Sequence, residues 1–198
     1  AGGEVGGAFD ISREPLKVRE RYGAHSWGQQ ALLARRLAEV GVPYTLVNFN
    51  LNQKTGQDWD NHTDIFNVMK TKLLPPTDRA ISTLLDDLEE RGLLDSTLLA
   101  VYGEFGRTPR INSKGGRDHW PKANFSILAG GGMRTGQVIG STDKHAAEPD
   151  ERPVKFKEVH ATLFNNLGLP KYQDRIFDLQ GRPQHPVEPE IKPLQELV

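Results

Sequence analysis

The sequence predicts an α/β fold with a central, mostly parallel sheet flanked by helices, and three observations predict it. A helical pattern, "SWGQQALLARRLAEVGV" (26–42), runs directly into "PYTLVNFN" (43–50), a helix-to-strand step that α/β folds repeat. A second helical pattern leads into "STLLAVY" (96–102), apolar almost throughout, which predicts a strand covered on both faces and central in its sheet. A third strand, "NFSILAGGG" (124–132), ends in three glycines.

The other elements follow in order. Residues 1–12 are Gly-rich and predict a loop or frayed end. "SREPLKVRERYG" predicts a short helix with Ser12 as N-cap and Gly23 as its stop. In the 26–42 helix, Ala31, Leu32, Leu33, Leu37 and Val40 recur at helical spacing and Gly41 ends it. "LNQKTGQDWDNH" is loop, and a helix from about Thr63 to Leu74 is expected to stop at Pro75-Pro76. The next helix takes Thr77 as cap, carries Ile81, Leu84, Leu85 and Leu88 on one face, and closes at Gly92. "GQVIGS" is a short strand or turn and "DKHAAEPDERPV" a loop. "KFKEVHATLFNNLGL" is a helix with Val159, Leu163, Phe164 and Leu167 inward. Pro183, Pro186, Pro189 and Pro193 predict an extended tail. The expected organisation is a flexible segment 1–12, one α/β domain 13–182 and a Pro-rich tail 183–198.

Composition narrows the function classes. The 198 residues suffice for one good core, and 36% apolar with 26% charged residues argues against disorder. A net charge of −1 gives no basic field for nucleic acid. No apolar run approaches the roughly 18 residues of a membrane span. With no cysteine, disulfides, thiolate ligands and a cysteine nucleophile within this chain are excluded. "AGGEVGGAFD" has neither a basic n-region nor an apolar core, so no targeting segment is expected. It begins without Met and reads as the middle of a longer chain, so a processed form or fragment is expected.

Three polar clusters could carry chemistry. "DWDNH" sets Asp58, Asp60 and His62 in a loop that opens a helix; two carboxylates and an imidazole suit a divalent metal, with Asp58 or Asp60 as partner of His62. The plainer alternative is that Asp60 or Asn61 caps the helix and Asp58 is solvated. "GEFGRTPR" places Glu104 at the carboxyl end of a strand, where open α/β sheets put ligands, and Arg107 where its fork could hold an oxyanion. A structural Glu–Arg pair would look the same. "GGRDHWP" offers Asp118 and His119 as adjacent ligands, or a His oriented by a neighbouring carboxylate; the alternative is a turn in which Trp120-Pro121 packs. His145 and His185 read as solvated, and His25 and His160 as structural. Glycines 130–132 lack the strand–GxGxxG–helix setting, and no GxSxG or P-loop occurs.

At these residues a resemblance enters. "WDNH", "LLPPTDRAISTLLDDLEERGLLDSTLLAVYGEFGRTPRIN", "GRDHWP", "SILAGGG", "GQVIGSTDKHAAEPDERPV" and "VHATLFNNLGL" together resemble the sulfatase-like domain-of-unknown-function family numbered 1501, over about residues 9–198. The resemblance is to the C-terminal part of a family whose chains are usually over twice this length. Through its grouping with the alkaline phosphatase superfamily, it implies an alkaline-phosphatase-like sandwich and a two-metal site at the strand ends. It also implies hydrolysis or transfer of phosphate or sulfate esters, including glycan esters, with a Ser, Thr or formylglycine nucleophile. Divalent ions of the zinc, calcium or magnesium class are the implied cofactors. Export to the bacterial envelope or periplasm is implied as well.

Carried over by residue, the resemblance places the superfamily's Asp-x-x-x-His element on Asp58 or Asp60 with His62; the family's usual Trp-Asp-Thr-His favours Asp60, with Asn61 in place of the Thr. The apolar strand aligns Glu104 with a superfamily Asp and Phe105 with a superfamily His, and leaves His119 as the final ligand. Another register makes Asp118-His119 the Asp–His pair and gives the last ligand to His145 or His160. Arg107 or Arg117 would hold the substrate oxyanion. The superfamily nucleophile lies on a first strand that nothing here matches. Three readings follow: part of a metal-dependent ester hydrolase, a scaffold of that kind that has lost its chemistry and serves as a binding or structural envelope module, or an unrelated carbohydrate- or protein-binding module using exposed Trp59 and Trp120.

Overall fold

The computed structural model describes residues 2–49, 59–169, 175–188 and 190–198. They fall into two compact units, Ala1–Thr97 with Arg107–Trp120, and Leu98–Gly106 with Pro121–Val198.

The first unit is helical. Gly2–Ala8 forms α1, where the glycines predict loop. Asp10 caps a 3-10 turn at Ile11–Arg13 by accepting from the Ser12 amide, so Ser12 lies inside that turn and not at a helix cap. α2 (Leu16–Tyr22) begins after Pro15 and ends at Gly23, whose φ of 93° suits glycine alone. α3 (Ser26–Glu39) is capped by the His25 ring, which accepts from the Gly28 amide. It packs on α5 (Leu74–Glu90).

Pro75 and Pro76 do not stop the chain's helical run. α4 (Ile65–Val68) passes through one π-turn, Met69–Leu73, into α5, with the prolines in the first turn of α5. Proline removes a donor and pushes away the carbonyl one turn back. A π-turn tolerates that displacement. Thr77 is not the cap; its hydroxyl donates back to the Leu73 carbonyl, four residues earlier, at 2.7 Å. Trp27, Val68 and Leu73 form a buried cluster against which Phe49, Trp59 and Met69 pack.

In the second unit, β1 (Leu98–Tyr102) pairs antiparallel with β4 (Ser126–Gly130), Leu98 opposite Gly130 and Tyr102 opposite Ser126. α6 (Phe156–Asn166) follows. The segment after it is pinned by the Thr162 hydroxyl, which accepts from the Leu194 amide at 2.8 Å, and buries Val187, Leu194 and Leu197. β5 (Ile176–Phe177) and β6 (Pro183–Gln184) form a short antiparallel ladder.

The expected α/β architecture, an alkaline-phosphatase-like sandwich around a mostly parallel sheet, is therefore corrected. Among the described residues the sheets have two strands each, and no central parallel sheet is present. "STLLAVY" does form a strand, but its partner β4 runs back against it. A parallel pair needs a crossover, usually a helix, and the chain between β1 and β4 contains none. Residues 43–49 of "PYTLVNFN" form no strand, and Tyr44 and Leu46 are 72% and 73% exposed. β-propensity without a neighbouring strand leaves backbone groups no ladder to join. Asn50 lies outside the described residues. No helix among the described residues is long and apolar enough to cross a membrane.

Candidate metal centre

Two loops of the first unit build the site. Residues 60–64 lie along residues 112–118, joined by an antiparallel bridge between Thr63 and Gly115. The amides of Asp64 and Ile65 donate to the carbonyls of Lys114 and Gly115 at 3.2 and 3.0 Å, and the Arg117 amide donates to the Asn61 carbonyl at 3.2 Å. Gly116 makes the approach possible: a Cβ there would lie 2.0 Å from the carbonyl carbon of His62. Trp59 anchors the first loop. Its indole N–H donates to the Phe49 carbonyl at 2.7 Å, and its ring stacks on the buried Trp27 at 5.9 Å. β3 (His119–Trp120), beside β2 (Gly106–Arg107), brings the second imidazole.

These loops converge three ligand atoms. Asp60 Oδ1 lies 2.8 Å from His119 Nε2 and 3.0 Å from His62 Nε2, and the two Nε2 atoms are 3.3 Å apart. Ligands about 2.0–2.2 Å from a tetrahedral zinc-class ion are separated by roughly 3.3 Å, so the triangle approximates one face of such a shell. The Arg107 guanidinium reaches the same Asp60 oxygen at 2.7 Å. Asp118 Oδ1 stands on the other side of the His62 ring, 2.8 Å from Nδ1.

Charge explains what this arrangement asks for. His119 and the Arg107 guanidinium, both hydrogen-bonded to Asp60, hold its carboxyl down to about 2. Hydrogen bonds from His62 and Asn112 lower that of Asp118. Both groups are thus anions at neutral pH. An ionised Asp118 requires a proton on Nδ1 of His62, which in the neutral ring leaves a lone pair on Nε2. That lone pair faces a carboxylate oxygen at 3.0 Å, which is repulsive unless a proton or a cation lies between them. One divalent ion would satisfy Asp60, His62 and His119 together, while Asp118 holds the ring as carboxylates hold metal-bound histidines.

The structure thus brings Asp60, His62, His119, Asp118 and Arg107 together. Arg117 points elsewhere within the same unit, donating to the carbonyls of Thr108 and Pro109 at 2.5 and 2.7 Å. Glu104 is exposed on the bend after β1, in the second unit. His145 is exposed on a turn, and the His160 ring packs at 4.2 Å from that of Phe156. Asp58 lies outside the described residues. Sequence reasoning passed over Asn112, whose side chain bonds both loops. An Asn ahead of Ser-Lys-Gly-Gly is a turn signal that could have marked it.

Fold and site together define a protein of helices and small antiparallel sheets whose first unit presents a two-histidine, one-carboxylate triad able to hold a metal ion. The chain belongs to the family described as Protein of unknown function (DUF1501), whose model matches residues 1–198. No curated protein and no solved structure matches it.

Proposed function

We propose that the chain supplies the metal site of a divalent-metal-dependent hydrolase of phosphate or sulfate esters. The observation that carries this reading is the convergence of Asp60, His62 and His119 within 3.3 Å of one another, with Arg107 on the same carboxylate. Two imidazoles and one carboxylate favour a zinc-class ion over calcium or magnesium, which prefer oxygen ligands. Such an ion lowers the pKa of a bound hydroxyl and draws charge from an ester oxygen. Arg107 would bind a non-bridging oxygen of the tetrahedral anion through its fork. Asp118 would keep His62 in the tautomer that offers Nε2. Kinship of chemistry with the alkaline phosphatase superfamily, a role as the C-terminal part of a longer chain that carries the nucleophile, and Glu104 as a further ligand belong to the same proposal. They rest on the sequence resemblance.

Metal content is the test. Elemental analysis after growth in metal-supplemented medium should find about one equivalent of divalent ion, lost in a His62→Ala, His119→Ala double variant. Turnover of aryl phosphate or aryl sulfate by the metal-loaded longer protein that carries the nucleophile would then identify the ester. One observation favours a second reading, a scaffold without chemistry: Phe105 follows Glu104 where the resemblance implies a His. Wild type and double variant equally free of metal would favour that reading and overturn the first.

A further inference from the structure

The Asn112 side chain uses its whole hydrogen-bonding capacity at the centre. Its amide nitrogen donates to the His62 carbonyl and to Asp118 Oδ1, both at 3.1 Å. Its oxygen accepts from the amides of Lys114 and Gly116 at 2.9 and 3.0 Å. One half of the group therefore shapes the 112–116 turn. The other half ties that turn to the backbone of His62 and to the carboxylate that orients its ring. Asp118 receives a further support from Thr108, whose hydroxyl oxygen accepts from the Asp118 amide at 3.1 Å. The carboxylate is about half exposed, so burial does not fix it and its hydrogen bonds must.

We infer that Asn112 is a positioning residue of the metal centre: it holds Asp118 against Nδ1 of His62 and so aims Nε2 at Asp60 and His119. This rests on the metal reading above. A carboxylate free to rotate would let the imidazole turn or change tautomer, and a ligand lone pair would leave the triangle. Partners of this kind change metal affinity by about 10–100-fold when removed.

Cobalt(II) is the probe, because its visible absorption reports both occupancy and tetrahedral geometry. The chain is titrated as wild type, Asn112→Ala, Asp118→Ala and the double variant. Each single variant is expected to weaken binding by about 10–100-fold. Asn112→Ala should add less than about twofold once Asp118 is already Ala, because the two act through one ring. Asn112→Asp guards against a collapsed turn. It keeps an acceptor for Lys114 and Gly116 but cannot donate to Asp118. Its extra negative charge alone would strengthen cation binding, so weaker cobalt binding by a folded Asn112→Asp supports positioning. Wild-type affinity in Asn112→Ala or in Asn112→Asp overturns the assignment. So does an undiminished effect of Asn112→Ala in the Asp118→Ala background. A wild-type chain that takes up no cobalt overturns the metal reading, and this assignment with it.

Discussion

Gly116 shows how much one missing methyl group decides. A Cβ there would lie 2.0 Å from the His62 carbonyl carbon and 2.3 Å from the Thr63 nitrogen, both backbone atoms that cannot swing aside. Gly116→Ala should therefore separate the two site loops, cost more than about 2 kcal/mol and abolish metal uptake. Thermal unfolding and a cobalt titration check both effects. His25 makes a different residue-scale prediction. Its Nδ1 accepts from the Gly28 amide, while Nε2 is buried with no hydrogen-bond partner among the described residues, so the neutral ring carries its proton on Nε2. Burial, with a smaller contribution from the Arg79 charge, lowers its pKa below the ordinary 6.5. The unfolded chain then binds a proton that the folded chain refuses, so this contribution is present above pH 6.5 and is lost as pH falls through the lowered value. The urea midpoint should drop between pH 7.5 and pH 5. His25→Asn keeps a good cap without a titrating ring, and it should flatten that part of the drop.

At the scale of elements, α3 is joined to α5 and to the turn before α2 through a buried ionic network that the sequence pattern did not reveal. Arg35 is 1% exposed and meets Glu14, Glu39 and Asp87 at 2.9, 2.6 and 2.9 Å. Arg36 and Arg91 complete the charge balance, and Tyr22 donates to Asp87 at 2.8 Å. A buried pair adds little over well-packed apolar groups, but removing one partner strands the others. Arg35→Ala should cost about 3–5 kcal/mol in denaturant unfolding, and Arg35→Met, which refills the volume, should cost less. Burial pushes the pKa of Glu14 and of Asp87 upward. For Glu14 the hydrogen bond and charge of Arg35 reverse this; for Asp87 the hydrogen bonds of Arg91 and Tyr22 and the charges of Arg35 and Arg91 do. Both carboxyls end lowered, so their stabilisation holds above their ordinary range near pH 4 and is lost as pH falls below it. In the second unit, Thr162→Val removes the buried acceptor of the Leu194 amide and should cost about 1–3 kcal/mol by the same assay.

For the whole molecule, the proposed site would couple metal binding to folding, because Asp60, His62 and His119 come from segments that meet only in the folded first unit. Zinc at 100 times its dissociation constant should stabilise the chain by about 2.7 kcal/mol. Chelator should reverse the thermal shift, and the His62→Ala, His119→Ala variant should show none. Much of the site was legible along the chain. "DWDNH" and "GGRDHWP" each announced a carboxylate beside an imidazole, and the structure brings Asp60, His62, Asp118 and His119 of those two motifs to one point. Asn112 was not legible, since it looks like any turn residue until its four hydrogen bonds are traced. Nor was Arg35, whose place in an amphipathic helix reads as a solvated face.

By itself the sequence determined what depends on near neighbours. It placed helices within 12–23, 26–42 and 155–169 and a strand within 96–102, which the structure realises at 16–22, 26–39, 156–166 and 98–102, and it named the residue types able to bind metal, because periodicity, glycine stops and side-chain chemistry act over a few residues. The tertiary structure alone decided what depends on distant partners. It paired β1 antiparallel with β4, carried the helix through Pro75-Pro76 by a π-turn, and placed Asp118 behind His62. An apolar run or a lone carboxylate is equally content beside several neighbours. Which neighbour it meets is set by how the intervening chain packs.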